Sequence, residues 1–193
     1  MSILHSPLPA KLVCSIFSQQ KGLINRVADA LCGAYGTADF KSPVIPFDWT
    51  SYYEPEFGSG LKRIFMSFTE LVFQDALAEI KHATDKLEQE FSTEGKRRAN
   101  IDPGILTAER LVLATGKNFP HRIYLGRGVF ADLTFIYRKD SFMPLPWTFP
   151  DYASKEVIEF WNNVRKSYLQ EFSEARARNS QITEGVSINP TQK

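Results

Sequence analysis

Two cysteines in 193 residues are too few for a disulfide framework. Cys14 sits in an apolar, strand-like run and Cys32 near the end of a helical one, which fits reduced, buried thiols. Histidine is nearly as scarce: there are three, none paired, and the carboxylates show no recurring spacing, so no metal-ligand signature emerges. Long apolar runs are missing, since the longest are strand-length rather than membrane-length. The start, Met1-Ser2-Ile3-Leu4-His5-Ser6-Pro7, has no basic segment followed by an apolar one. The expectation is a cytoplasmic protein with no membrane span. Excess charge of one sign is also absent: 23 Lys and Arg face 22 Asp and Glu, for a net charge of +1. That balance excludes sticking to nucleic acid or membrane through bulk charge. Internal repeats and low-complexity blocks are lacking, and so is a phosphate loop. Gly58-Ser59-Gly60-Leu61-Lys62-Arg63 leads into a strand, not a helix, and has no Ser or Thr after the lysine.

What is present is core-forming material. With 43% hydrophobic residues, 15 Phe, 7 Tyr and 3 Trp, the chain can bury one substantial core. The expected organisation is an N-terminal segment over 1–10, a single domain over 11–178 and a flexible polar tail over 179–193.

Hydrophobic periodicity gives the elements. Lys11 to Phe17 reads as a buried strand. Gly22 to Tyr35 reads as a helix, with Ile24, Val27, Ala28, Leu31 and Tyr35 on one face. After a short proline-flanked segment at Val44 to Phe47, Trp49 to Gly60 reads as an aromatic, acidic loop. Lys62 to Leu71 is a second strand. Asp75 is the expected N-cap of a helix that turns Leu77, Ile80, Thr84, Leu87 and Phe91 inward and Glu79, Lys81, Asp85, Lys86 and Glu88 outward. Arg97 to Ile101 reads as a strand ended by a type II turn at Asp102-Pro103-Gly104. Leu106 to Thr115 is compatible with strand or short helix. Arg122 to Leu125 and Val129 to Arg138 are strands, the latter turning through Lys139-Asp140-Ser141 into a hairpin. Ser154 caps a long closing helix with Val157, Trp161, Val164, Tyr168 and Phe172 on one face. The strand-helix-strand-strand-helix-strand order of the first hundred residues predicts an α+β fold: a mainly antiparallel sheet of ferredoxin-like split βαβ type, extended by the hairpin and the C-terminal helix.

Charge is locally uneven even though it is globally balanced. Between Lys96 and Arg127 seven Lys and Arg face only Asp102 and Glu109, a net of +5 that leaves −4 for the rest of the chain. Such a patch suits an anionic ligand or partner. On a strand, Arg98, Asn100 and Asp102 share a face, so Arg98 can pair an anion, Asn100 can donate and accept, and Asp102 can act as a base. His121 beside Arg122 is a second candidate for proton transfer. The catalytic candidates are therefore Asp102 and His121, and the ligand-binding candidates are Lys96, Arg98, Asn100 and Arg122 with Tyr53 and Glu54 of the aromatic loop. No cofactor is specified. Competing readings are an RNA or interaction surface and a metal-dependent hydrolase. The first would use Lys96, Arg97, Arg98, Lys117, Arg122 and Arg127 for phosphates and Tyr52, Tyr53, Phe119 and Tyr124 for stacking. The second would draw on Asp48, Glu54, Asp102 and His121. A ligand site would gather these residues in one concavity, whereas an RNA surface would spread the cations over an exposed face.

Five strings in order carry a family resemblance. They are Asp48-Trp49-Thr50-Ser51-Tyr52-Tyr53-Glu54, Gly60-Leu61-Lys62-Arg63, Asn100-Ile101-Asp102-Pro103-Gly104, His121-Arg122-Ile123-Tyr124-Leu125-Gly126 and Pro146-Trp147-Thr148-Phe149-Pro150-Asp151-Tyr152. Over roughly Lys11 to Leu169 the chain resembles a bacterial family catalogued as domain of unknown function 4416. Members are often labelled GTP-binding proteins, so the resemblance implies GTP binding without a P-loop as a further alternative. It assigns no site residues, and the nearest strings to a base-reading motif are Thr115-Gly116-Lys117-Asn118 and Thr84-Asp85-Lys86.

Overall fold

A computed structural model describes residues 3–185, with side chains described to Ser173. The first hundred residues build the expected split βαβ sheet. Strand β1 (Ala10–Ser18) leads into helix α1 (Lys21–Tyr35), which stops at Gly36, whose φ of 88° suits glycine. Two short strands, β2 (Ala38–Lys41) and β3 (Ile45–Pro46), precede strand β4 (Lys62–Val72), helix α3 (Leu77–Glu90) and strand β5 (Asn100–Leu106). The aromatic loop between β3 and β4 contains a single helical turn, α2 (Glu54–Phe57). Strands β2, β4, β1 and β5 lie in that order, all antiparallel, which is the ferredoxin-like arrangement. Beyond β5 the sheet continues through β6 (Arg110–Thr115), β8 (Val129–Arg138) and β7 (Arg122–Gly126), with β9 (Ser141–Pro144) paired to β8. The β8–β9 hairpin turns on Lys139 and Asp140, both at positive φ.

Period-two alternation divides this sheet into two cores. Leu12, Cys14 and Ile16 of β1 face α1 and α3, packing with Ile24, Val27 and Ile80. Val13 faces the other way with Phe65, Leu113 and Phe135, under the closing helix α4 (Lys155–Gly185) and its Val157, Trp161 and Val164. Ser154 caps α4, its Oγ accepting from the Val157 amide at 3.3 Å. Both cysteines are free thiols, and Cys14 is buried. No helix among the described residues is long and apolar enough to cross a membrane. Helix α4 continues to Gly185, so the first part of the segment read as a flexible tail is helical, and residues 186–193 lie outside those described.

Three local readings are corrected. Asp75 does not cap α3: a 3-10 turn over Gln74–Ala76 precedes the helix and Ala76 occupies its N-cap. Lys81 and Glu88 are buried rather than on a solvated face. Most consequentially, Asp102-Pro103-Gly104 is not a turn. Strand β5 runs straight through it, with Asp102, Pro103 and Gly104 opposite Ser15, Cys14 and Val13 of β1.

The reason lies on the other edge of β5, where pairing with β6 begins only at Gly104 opposite Leu113. Before that point Ile101 has no strand partner on this side, and α3 satisfies it: its N–H donates to Glu88 Oε1 at 2.6 Å and its carbonyl accepts from Lys81 Nζ at 3.4 Å. By the same alternation Pro103 faces the same way, and it has no N–H to satisfy. Proline thus sits where the ladder ends, and glycine sits where it closes. A Cβ on Gly104 would lie 2.5 Å from the Val112 carbonyl oxygen and 2.8 Å from Leu113 Cδ2. Gly104→Ala is therefore expected to destabilise the fold by about 1–3 kcal/mol, as overpacking does, read as a lower urea midpoint at unchanged m.

Candidate functional site

The parting of β5 and β6 opens a cleft of about 240 Å³ at the end of the sheet. Both sheet faces contribute to it: Leu113 belongs to the α4 side and Ala114 to the α3 side. Register explains its floor. Arg63 of β4, Phe17 of β1 and Asn100 of β5 form one row across three strands, and Phe65, Ser15 and Asp102 form the next on the same face. Tyr152, carried by the segment before α4, packs edge-on to Phe65 with ring centroids 4.9 Å apart.

Five cations and three carboxylates line this cleft, a net of +2: Arg63, Lys81, Arg97, Lys117 and Arg122 against Asp85, Asp102 and Asp132. Most are already engaged. Arg63 pairs with Asp151 below the floor, and Lys81 Nζ pairs with Asp85 at 2.7 Å. Arg97 bonds Glu56 through two 2.7 Å contacts, Glu88 at 2.9 Å and Asn100 Oδ1 at 3.0 Å, which fastens the aromatic loop to α3 and β5. Arg122 holds Asp132 at 2.8 Å and the Lys117 carbonyl at 2.9 Å.

Four groups keep unspent hydrogen-bonding capacity. The Asp102 carboxylate makes no hydrogen bond or ion pair with any described residue. Among the described residues Arg63 Nε and Asn100 Nδ2 are buried and unpartnered, and Tyr152 Oη has only the Ser15 hydroxyl near it, all in side chains more than nine-tenths buried. The field of Asp102 is felt around it. Burial first, then the Asp102 charge, pushes the Tyr53 hydroxyl up to about 12, and burial, with the charges of Asp102 and Asp151, raises Tyr152 well above an ordinary tyrosine against the pull of Arg63 and of the Ser15 hydroxyl. Burial opposes the Lys81 ammonium, yet the charges of Asp102 and Glu88 and the Asp85 hydrogen bond leave its pKa raised, so it stays a cation.

The sequence-predicted residues divide among three places. Asn100, Asp102, Arg122 and Tyr53 line the cleft. Lys96 and Arg98 line a separate groove beside the start of α1, where Arg98 donates to Gln20 Oε1 at 2.6 Å; because β5 starts only at Asn100, Arg98 does not continue its face. His121 lines an adjoining aromatic pocket, stacked on Trp147 at 4.6 Å and 12°. Glu54 lines none of these. Of the RNA-reading cations, Arg97, Lys117 and Arg122 gather in the cleft, and Arg127 faces Glu79 at 3.5 Å. Among the described residues, no three His, Cys, Asp or Glu side chains gather as a metal site, so Asp48, Glu54, Asp102 and His121 do not form one.

Sequence reasoning missed Arg63, Lys81, Asp132 and Tyr152. The clue for Arg63 was an arginine leading straight into the apolar run Ile64-Phe65-Met66; for Lys81 and Asp132 no pattern distinguished them from surface charges. Each of the five strings that carry the family resemblance nevertheless reaches this region, through Tyr53, Arg63, Asn100 with Asp102, Arg122 and Tyr152.

Fold and site together define an α+β protein whose extended ferredoxin-like sheet carries a charged cleft at one strand junction. The family described as Domain of unknown function (DUF4416) matches residues 8–168, and the chain belongs to it. No curated protein and no solved structure matches the chain.

Proposed function

We propose that the cleft between β5 and β6 binds a small anionic ligand, phosphorylated or carboxylated, that also offers one hydrogen-bond donor. The observation that carries this reading is the set of unspent groups. Among the described residues Arg63 Nε and Asn100 Nδ2 are donors without acceptors, and Tyr152 Oη has only the Ser15 hydroxyl, beside a carboxylate, Asp102, without a donor. Buried donors are normally satisfied, so these, gathered around one cleft, call for an acceptor-rich group. Lys117 adds a cation with no ion pair among the described residues, its Nζ bonded there to the Tyr52 hydroxyl at 3.0 Å. Asp102 then receives the ligand's hydroxyl or amine and is the group placed to accept a proton from it. Gathering of cations in a concavity favours a small ligand over an RNA face. The GTP-binding alternative has less support, since Lys62 opens strand β4 and no helix follows the glycines to cradle phosphates.

The test is calorimetric titration with inorganic phosphate and simple phosphate monoesters. Lys117→Ala and Arg122→Ala are each expected to weaken binding roughly 10- to 100-fold, the worth of a charge-assisted hydrogen bond. Arg98→Ala, in the separate groove, is expected to bind like the unmodified protein. Equal loss in all three variants, or no binding by any, overturns the cleft as the site.

A further inference from the structure

The charged cleft opens into a second pocket of different character. Tyr53, Lys117, Arg122 and Phe149 line both. Beyond them the second pocket, about 350 Å³, is walled by Tyr52, Phe119, His121 and Trp147. These are flat side chains held in water: Tyr52 is 65% and Phe119 57% exposed, and Trp147 and Phe149 are more than a third exposed. Aromatic residues ordinarily bury most of their large surface, so several standing open around one concavity mark a recognition surface. Part of it is preformed. The His121 and Trp147 rings are stacked nearly parallel, and the Trp147 indole is fixed by donating its Nε1–H to the Leu133 carbonyl at 2.8 Å.

We propose that the ligand of the charged cleft carries a planar aromatic or heteroaromatic ring, a few bonds from its anionic group, and that this ring occupies the second pocket. The inference rests on the reading of the cleft as an anion site. Contiguity selects the occupant. Lys117 and Arg122 stand at the junction, each already over a ring of the second pocket, Lys117 Nζ 4.3 Å from the Tyr52 centroid and Arg122 5.1 Å from that of Phe119. A ligand spanning both spaces is therefore anionic at one end and flat and apolar at the other. An aliphatic tail would gain burial alone, whereas a ring also gains stacking against faces already aligned.

The unmodified full chain is titrated with four probes: inorganic phosphate, ethyl phosphate, phenyl phosphate and a set of nucleoside 5′-monophosphates. Phenyl phosphate or a nucleoside monophosphate is expected to bind roughly tenfold or more tightly than ethyl phosphate, the scale of one stacking contact. Tyr52→Ala, at an exposed position, is expected to collapse that ratio, and Trp147→Leu to do the same. A larger advantage for the nucleotides than for phenyl phosphate identifies a heteroaromatic base, and a similar one identifies a single carbocyclic ring; both support the proposal. Equal affinity for ethyl and phenyl phosphate, with the nucleotides no better, overturns the ring compartment and leaves the anion site standing. Failure of all four probes overturns the anion site and this inference with it.

Discussion

Replacing Arg63 by methionine is expected to destabilise the protein by about 3–5 kcal/mol, the usual consequence of removing one partner from a buried ion pair. In a chain of this size that lowers the melting temperature by roughly 6–20 °C. Arg63 and Asp151 side chains are 3% and 1% exposed, so neither can turn to water when the other is lost. The guanidinium is also enclosed by rings, its Cζ 3.9 Å from the Phe47 centroid, 5.2 Å from that of Phe17 and 5.4 Å from that of Tyr152. Burial already raises the Asp151 carboxyl above its ordinary value, against the pull of Arg63 and of its own hydrogen bonds. Without Arg63 it rises further. A carboxyl whose folded pKa exceeds its unfolded one contributes stability below the unfolded value and loses it as pH rises through the folded value. The Arg63→Met deficit is therefore expected to be large at pH 7 and smaller near pH 4.5, and Arg63→Met with Asp151→Asn is expected to recover most of it. A deficit equal at both pH values and unrelieved in the double variant would assign the loss to ring packing instead.

Lys11 makes the contrast. It is fully buried, yet its partners Asp39 and Glu171 are 18% and 35% exposed at 2.6 Å each. Lys11→Met leaves two carboxylates that can hydrate, so a loss of only about 1 kcal/mol is expected in the same denaturation experiment. The exposure of the partner left behind decides the outcome.

Alternation and helical period made the fold legible. The apolar faces of α1 and α4, the continuous apolar runs of β1 and β4 and the alternation of β8 are all plain in the residues, and the strand-helix order sufficed for the ferredoxin-like sheet. Of the candidate site, Asn100 and Asp102 were legible as polar residues breaking a strand pattern before a proline, and Arg122 and Tyr53 through local charge and the aromatic loop. Two features hid the rest. Asp-Pro-Gly has the local chemistry of a turn, but whether proline ends a strand or only a ladder depends on which neighbour faces its missing N–H, and that is set by a strand about ten residues away. Lys81 and Glu88 carry charge at positions that a helix normally gives to water, and what turns them inward is the unpaired backbone of Ile101, invisible to any periodicity of α3.

That arrangement makes Glu88 the second residue whose loss is expected to be severe. Its carboxylate accepts from the Ile101 N–H at 2.6 Å and from Arg97 at 2.9 Å, and its side chain is 4% exposed. Glu88→Ala strands a buried amide, deprives Arg97 of its inner partner and removes one of the charges that hold Lys81 as a cation, so a loss of about 3–5 kcal/mol is expected from chemical denaturation. Amide exchange gives the sharper readout: the Ile101 N–H is expected to exchange faster relative to its β1-facing neighbour Asn100, because only the edge that meets β6 loses its acceptor. Glu88→Gln keeps an acceptor oxygen and is expected to preserve most of the protection. Burial raises the Glu88 pKa despite Lys81, the Ile101 amide and Arg97, so its ionisation subtracts stability as pH rises through the folded value. Glutamine cannot ionise, and the Gln variant is therefore expected to gain on the unmodified protein between about pH 4 and pH 7. A Gln variant that instead falls steadily behind over that range would mean that the ion pairs with Arg97 and Lys81 outweigh desolvation, and that the edge of the cleft is held by charge rather than by the single hydrogen bond to β5.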